Sequence, residues 1–192
     1  SSITGFATHK SKDRKNNEFS PLIQTRDIKR YYLDWTGEYI ENKIYSNKLQ
    51  ELFKQKKIVI ARVTKSIQAT IDEEKNYVGK SSILIPKNKE LFEILLAIIN
   101  SKLIDFYYRA KFETTHMAGG YIRFDIPYLK QLPVRLPNEK QTKNIIELVN
   151  RMRKASKEKQ EQQIQNIDYE LNEEIYEIYQ ISTEEKKVIE ES

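Results

Sequence analysis

The spacing of apolar residues changes along the chain, and each change marks a new kind of element. Residues 1–20 are polar and basic with little period, so they read as an irregular or flexible arm. Thr25 to Trp35 is compact and aromatic. In "NKLQELFKQKK", Leu49, Leu52 and Phe53 share one helical face, and Ser46 stands where a cap belongs. The pattern then turns β-branched. Ile58, Val59, Ile60 and Val63, then Ile67, Thr70 and Ile71, predict two strands. Thr64-Lys65-Ser66 supplies a hairpin turn and Asp72 to Asn76 a second one. Tyr77 to Ile85 is a third strand, ended by Pro86. Together these predict an antiparallel β meander.

Helical spacing takes over after Asn88, which caps "KELFEILLAIIN". Leu91, Phe92, Ile94, Leu95, Leu96, Ile98 and Ile99 cover most of its circumference, which places it centrally in a core. Asn100-Ser101 breaks the run, and "KLIDFYYRAKF" completes a buried helix pair. Tyr121 to Asp125 is short and extended. "PYLKQLPVRLP", with its three prolines, follows an extended, punctuated path. Asn138 and Gln141 have capping-box spacing and predict one long helix to about Tyr179. Its stripe runs Ile145, Leu148, Val149, Met152 and, after a polar interruption at Lys157 to Gln163, Ile164, Ile167, Leu171, Ile175, Ile178. Ser182 and Glu185 form another capping box, opening a short helix over 183–190. The expected fold class is α+β: a meander with a buried helix pair over residues 1–138, then a long C-terminal helical segment over 139–192.

Composition narrows the function. The absence of cysteine excludes disulfides and thiolate chemistry and fits a cytoplasmic location. No apolar run approaches the ~20 residues that span a bilayer, so no membrane partner is expected. There is no signal peptide and no initiator methionine, so the chain reads as a fragment. The net charge of +5 hides an asymmetry. Residues 1–138 carry 24 Lys and Arg against 15 Asp and Glu, whereas residues 139–192 carry 9 against 13. A basic body suits a polyanion, although a solvated lysine-rich surface has the same composition.

Candidate chemistry is sparse. The two histidines, His9 and His116, are far apart, and a metal site would need His116 with Glu113 or Asp125. No nucleophile elbow, Walker A run or Gly-x-Gly-x-x-Gly is present. Asp72, Glu73 and Lys75 could be bent towards a nuclease pattern, but they sit in a turn, where charges are ordinary. No catalytic or metal-binding residue is therefore assigned. Cations interleaved with aromatic and hydroxyl residues are more informative. Arg62, Thr64, Lys65, Ser66 and Gln68 lie in the first hairpin; Arg109, Lys111, Thr114, Thr115, His116 and Arg123 flank the pair Gly119-Gly120. Such side chains contact phosphates and base edges, and paired glycines let backbone turn sharply or approach a ligand. Phe106 and Tyr107 read as core or boundary residues. Two other readings stay open: an interaction module whose Ile164–Ile178 stripe drives self-association, and an enzyme using Asp72 and Glu73 or His116.

The order of motifs resembles a known family. "KKIVIARVTKSIQATIDEEKNYVGKSSILIPKNKELFEILLAIINSKLIDFYY" is similar to the TaqI-like C-terminal specificity domain of type IIG restriction enzymes and adenine-N6 DNA methyltransferases. The family's basic pair and small polar turn before "I-x-A" fall at Arg62 to Ala69. Its "I-I-P-K" strand end is Ile83 to Lys87, and its "LLALLNSKLINFYY" helix pair is Leu95 to Tyr108. Arg123-Phe124 and "YLKQLPV" match the following stretch, with Ile122 in place of the usual proline. "RDIKRYY" matches upstream, with Thr25 in place of glycine, and "IYEIYQISTEEKKVIEE" is similar to the family's close, so the resemblance runs from about 24 to 190. Type I specificity subunits are the nearest sibling. The resemblance implies a target recognition domain that binds double-stranded DNA and positions a catalytic domain that flips and methylates adenine. S-adenosylmethionine, and Mg²⁺ where the parent also cleaves, would belong to that catalytic domain, whose "N-P-P-Y"-type motif is absent here. The fragment itself would bind no cofactor and catalyse nothing.

Overall fold

The computed structural model describes residues 6–14 and 16–192, so residues 1–5 of the expected arm and Lys15 lie outside the described residues. In chain order, strands β1 (Lys10–Ser11), β2 (Phe19–Ile23), β3 (Ile28–Lys29), β4 (Tyr32–Leu33) and β5 (Tyr39–Glu41) lead to helix α1 (Asn47–Phe53). Strands β6 (Lys57–Ile60), β7 (Val63–Thr64), β8 (Ala69–Asp72), β9 (Tyr77–Val78) and β10 (Ser82–Leu84) follow. Helices α2 (Leu91–Asn100) and α3 (Lys102–Lys111), strand β11 (Ile122–Arg123) and helix α4 (Ile126–Leu129) come next. Helices α5 (Glu139–Lys157), α6 (Glu161–Tyr179) and α7 (Thr183–Glu190) close the chain.

The centre is a three-stranded antiparallel sheet ordered β10-β6-β8. Every residue of β6 and β8 is buried, which explains why Ile58-Val59-Ile60 is a continuous apolar run in place of an alternation. Successive side chains still point to opposite faces. Ile58 and Ile60 join Ala69, Ile71 and the helices in one core, while Val59 and Ala61 join Leu22, Ile40, Phe53 and Tyr77 in a second. Lys57 and Asp72 pair across the end of this ladder. Their fully buried side chains form an ion pair at 2.6 Å. Lys57 Nζ also donates to the Phe53 carbonyl at 2.8 Å, and Asp72 accepts from the backbone and side-chain nitrogens of Asn76 at 2.9 and 3.0 Å. Asp72 thus closes the 72–76 turn, and Glu73 pairs with Arg153 at 3.0 Å. These contacts give the acidic cluster that suggested a nuclease structural partners within the chain.

The α+β class holds, but the strands do not follow one another as a simple meander. The segment read as one strand over 77–85 is two. β9 runs parallel to β2 in a sheet ordered β1-β5-β2-β9, and β10 returns to the far edge of β6. The break falls at Gly79, whose N–H donates to the Ile23 carbonyl at 2.8 Å. That oxygen lies 3.3 Å from where a Cβ would stand, so glycine permits the close approach. The stretch "PYLKQLPVRLP" is also less extended than expected: Pro127 occupies the first turn of α4, where its missing N–H costs nothing. Part of the expected arm is structured as well, with β1 pairing to β5.

The single long helix expected over 139–179 is an antiparallel pair, α5 and α6. No glycine or proline announces the turn. Lys159 takes a left-handed conformation at φ 57°. Gln160 donates to the Ala155 carbonyl at 3.0 Å and Lys159 to Ser156 at 3.3 Å, the two bonds of a Schellman closure. A straight helix of that length would extend about 60 Å and leave its stripe in water. Folded back, the stripe is buried: Ile145, Leu148, Val149 and Met152 with Ile167, Leu171 and Ile175, in one core with Ile58, Ile71 and α2. The stripe offered for self-association is therefore occupied within the chain. Both expected capping boxes, Asn138 with Gln141 and Ser182 with Glu185, are formed. Among the described residues no helix is long and apolar enough to cross a membrane.

Candidate nucleic-acid interface

Residues 61–68 leave the central sheet between β6 and β8, their base closed by the Ala61 N–H donating to the Gln68 carbonyl at 2.9 Å. Instead of turning back tightly, the excursion finds a remote partner. β7 pairs antiparallel with β11, Thr64 opposite Ile122 and Val63 opposite Arg123. Phe124 N–H donates to the Arg62 carbonyl at 2.8 Å, and a bridge between His116 and Ile122 extends the ribbon. Met117 N–H donates to the Tyr121 carbonyl at 2.8 Å, closing a turn through Gly119 and Gly120. Both glycines have positive φ, 75° and 76°, with open space around Gly120. They are required for backbone conformation, not for lack of room. Buried Ile122 and Phe124 root the ribbon, and Tyr108 donates its hydroxyl to the Arg123 carbonyl at 2.7 Å.

The ribbon gathers most of the residues singled out in the sequence. Arg62 Nε donates to Asp125 at 2.6 Å, and this bond raises the Arg62 pKa above its ordinary value. Thr64 donates its hydroxyl to the Ser66 carbonyl at 2.6 Å and shapes the tip. Lys65 is exposed there, its Nζ 5.9 Å from the Tyr121 ring centre. Ser66 and Gln68 are half-buried. Arg123 is 48% exposed and lies 4.0 Å from Asp125. Lys111 and Thr114 are exposed at the exit of α3, with His116 beyond them. Arg109 reaches from α3, its Nε on Asp105 at 2.7 Å and its Nη2 on the Lys65 carbonyl. Thr115 differs from its neighbours. It is only 4% exposed and its hydroxyl donates to the Phe112 carbonyl at 2.6 Å, so it fastens the helix exit.

Sequence reasoning missed two features of this face. Tyr121 and Met117 are 44% and 42% exposed beside the glycine turn, an unusual position for large apolar side chains. Lys80 and Ser81 line an open groove of about 590 Å³ with Arg62, Asp125 and Tyr128. The one available signal was the polar run Lys80-Ser81-Ser82 inside a presumed strand. Among the described residues no group of three or more His, Cys, Asp or Glu is placed to hold a metal ion. What the face offers is a two-stranded ribbon edged with guanidinium, ammonium and hydroxyl groups. A ribbon of that kind fits a major groove, with cations for phosphates and a planar fork for guanine edges.

The sequence model of the TaqI-like C-terminal specificity domain matches residues 20–134. That range contains the three-stranded sheet, the ribbon and α1 to α4, and ends before α5. No curated protein matches the chain. The chain belongs to the TaqI-like C-terminal specificity domain family and is a DNA-recognition domain of a restriction–modification enzyme.

Proposed function

We propose that this domain reads double-stranded DNA with the β7–β11 ribbon and thereby positions an adenine-N6 methyltransferase module of its parent protein. The observation that carries the proposal is convergence. Two loops far apart in sequence pair at Val63–Thr64 and Ile122–Arg123, which brings Arg62 and Arg123 to the same carboxylate, Asp125, and Lys65 beside Tyr121 at the tip. Phosphate contacts from Lys65, Lys111 and Lys80 would set the register, and side chains at the tip would reach base edges. Adenine-N6 transfer requires the target base outside the stack, so the reader must hold the duplex while a separate pocket takes the base. S-adenosylmethionine would supply the methyl group in that pocket; the residues of this chain supply orientation only.

Selection from a pool of duplexes with a randomised centre tests the reading. One short motif containing an adenine should emerge with the wild-type chain. The Lys65→Ala/Arg123→Ala variant should enrich it weakly or not at all. A pool that stays random after repeated rounds contradicts the proposal.

A further inference from the structure

The recognition hairpin has apolar roots in Ile67, Ile122 and Phe124, and its backbone over 65–69 is held by polar side chains. Asp105 Oδ1 accepts the Ile67 N–H at 2.7 Å. Asn100 makes a two-way contact with Ala69, accepting its N–H at 2.9 Å and donating Nδ2 to its carbonyl at 3.0 Å. Arg109 Nη2 donates to the Lys65 carbonyl. The gripped residues, 65, 67 and 69, alternate along the segment, as they would if a neighbouring strand were bonding there. β8 is an edge strand of its sheet; on its open side the Tyr31 N–H donates to the Ala69 carbonyl at 2.9 Å, and side chains from the α2–α3 turn and α3 bond the segment that leads into it.

The grip is itself held. Asp105 Oδ2 fixes Arg109 Nε at 2.7 Å, one turn along α3. Arg30 Nη2 donates to the Asn100 carbonyl at 2.8 Å and pairs with Asp168 of α6 at 2.6 Å. Asn172 of α6 accepts the Lys102 N–H at 2.9 Å. The helical hairpin, outside the family match, thus braces the clamp from behind.

We propose that Asn100, Asp105 and Arg109 are positioning residues that fix the presentation of the hairpin to DNA, and that Arg109 is not a phosphate contact. A guanidinium engaged by Asp105 and the Lys65 carbonyl orients the tip that carries Lys65. Any role in sequence reading rests on the function proposed above. The clamp can be read independently of it.

The test uses the 192-residue chain and its Asp105→Ala, Asp105→Asn and Arg109→Ala variants. Amide exchange is followed at Ile67, and binding is measured to the selected duplex and to poly(dI–dC). The clamp predicts that Asp105→Ala speeds Ile67 exchange at least about tenfold while α5 and α6 keep their protection. Asp105→Asn, which keeps an acceptor, should restore most of it. Both Asp105→Ala and Arg109→Ala should lower the ratio of specific to non-specific affinity about tenfold. The salt slope on poly(dI–dC) should not change. Unaltered Ile67 exchange in Asp105→Ala overturns the clamp. A slope shallower by about 0.9 in Arg109→Ala, with the affinity ratio intact, makes Arg109 a phosphate contact and also overturns the inference. If the wild-type chain binds neither DNA, the functional reading falls and takes the positioning role with it, while exchange at Ile67 still reports the clamp.

Discussion

The helical hairpin α5–α6 and the β7–β11 ribbon are attached to the same core by different forces. The helices are held by area: Ile145, Leu148, Val149, Ile167, Leu171 and Ile175 are buried against α2 and the central sheet. The ribbon has little apolar surface to give. Ile67, Ile122 and Phe124 anchor it inward, and the rest is held by hydrogen bonds from Tyr108, Asn100, Asp105 and Arg109 to backbone. A surface that meets a polyanion must keep its cations and hydroxyls in water, so burial is not available as its glue. Bonds to backbone fix such a segment without using up the side chains it presents.

The largest predicted effect attacks what both regions share. Asp72→Ala leaves Lys57 buried without a counter-charge beneath β6 and β8, and should cost about 3–5 kcal/mol in urea unfolding. Leu171→Ala, in the helical hairpin, should cost about 2–5 kcal/mol through cavity formation. It should do so in one transition, with the ribbon unfolding at the same midpoint as the helices. Two separated transitions would show that the regions do not share a core. Tyr108→Phe touches the ribbon alone. It removes the bond to the Arg123 carbonyl and should cost about 0.5–1.5 kcal/mol at neutral pH. Burial pushes the Tyr108 hydroxyl up to about 12 from its ordinary 10.0. With the folded value raised, its contribution is complete below pH 10 and falls away as pH climbs from there towards 12. Stability measured across that window should decline less steeply in Tyr108→Phe. The smallest effect is a gain. Lys159→Gly relieves a left-handed lysine between α5 and α6 and should stabilise by roughly 1 kcal/mol without changing DNA affinity. Loss of stability there would mean that the Lys159 side chain contributes more than its backbone strain.

What could be read from sequence follows the range of the forces. Caps and periodicity act within a few residues, so α2, α3, α7, the capping boxes at Asn138 and Ser182 and the strands β6 and β8 were legible. The family motifs located the two loops that carry the ribbon. Their pairing was not legible, because the register of Thr64 against Ile122 is set by the burial of Ile122 and Phe124, not by any local pattern. The turn at Lys159 was hidden for a related reason: tertiary packing of two stripes imposes a left-handed residue that lysine would not choose alone. The bonds of Arg109 to Asp105 and of Thr115 to the Phe112 carbonyl were hidden as well, because composition records what a side chain can bond, not what it already bonds.

The central claim is that the ribbon, and not the basic body at large, meets the duplex. The most direct measurement is the salt dependence of DNA affinity for two double variants, Lys65→Ala/Arg123→Ala on the ribbon and Lys140→Ala/Lys154→Ala on α5. Each removes two positive charges, so net charge is matched. The account predicts that the ribbon variant loses affinity and flattens log K against log salt by at least about 0.9, the value for the one phosphate contact assigned to Lys65, while the helix variant follows the wild type. Equal losses in the two variants would contradict it, since binding would then follow overall charge and not the ribbon.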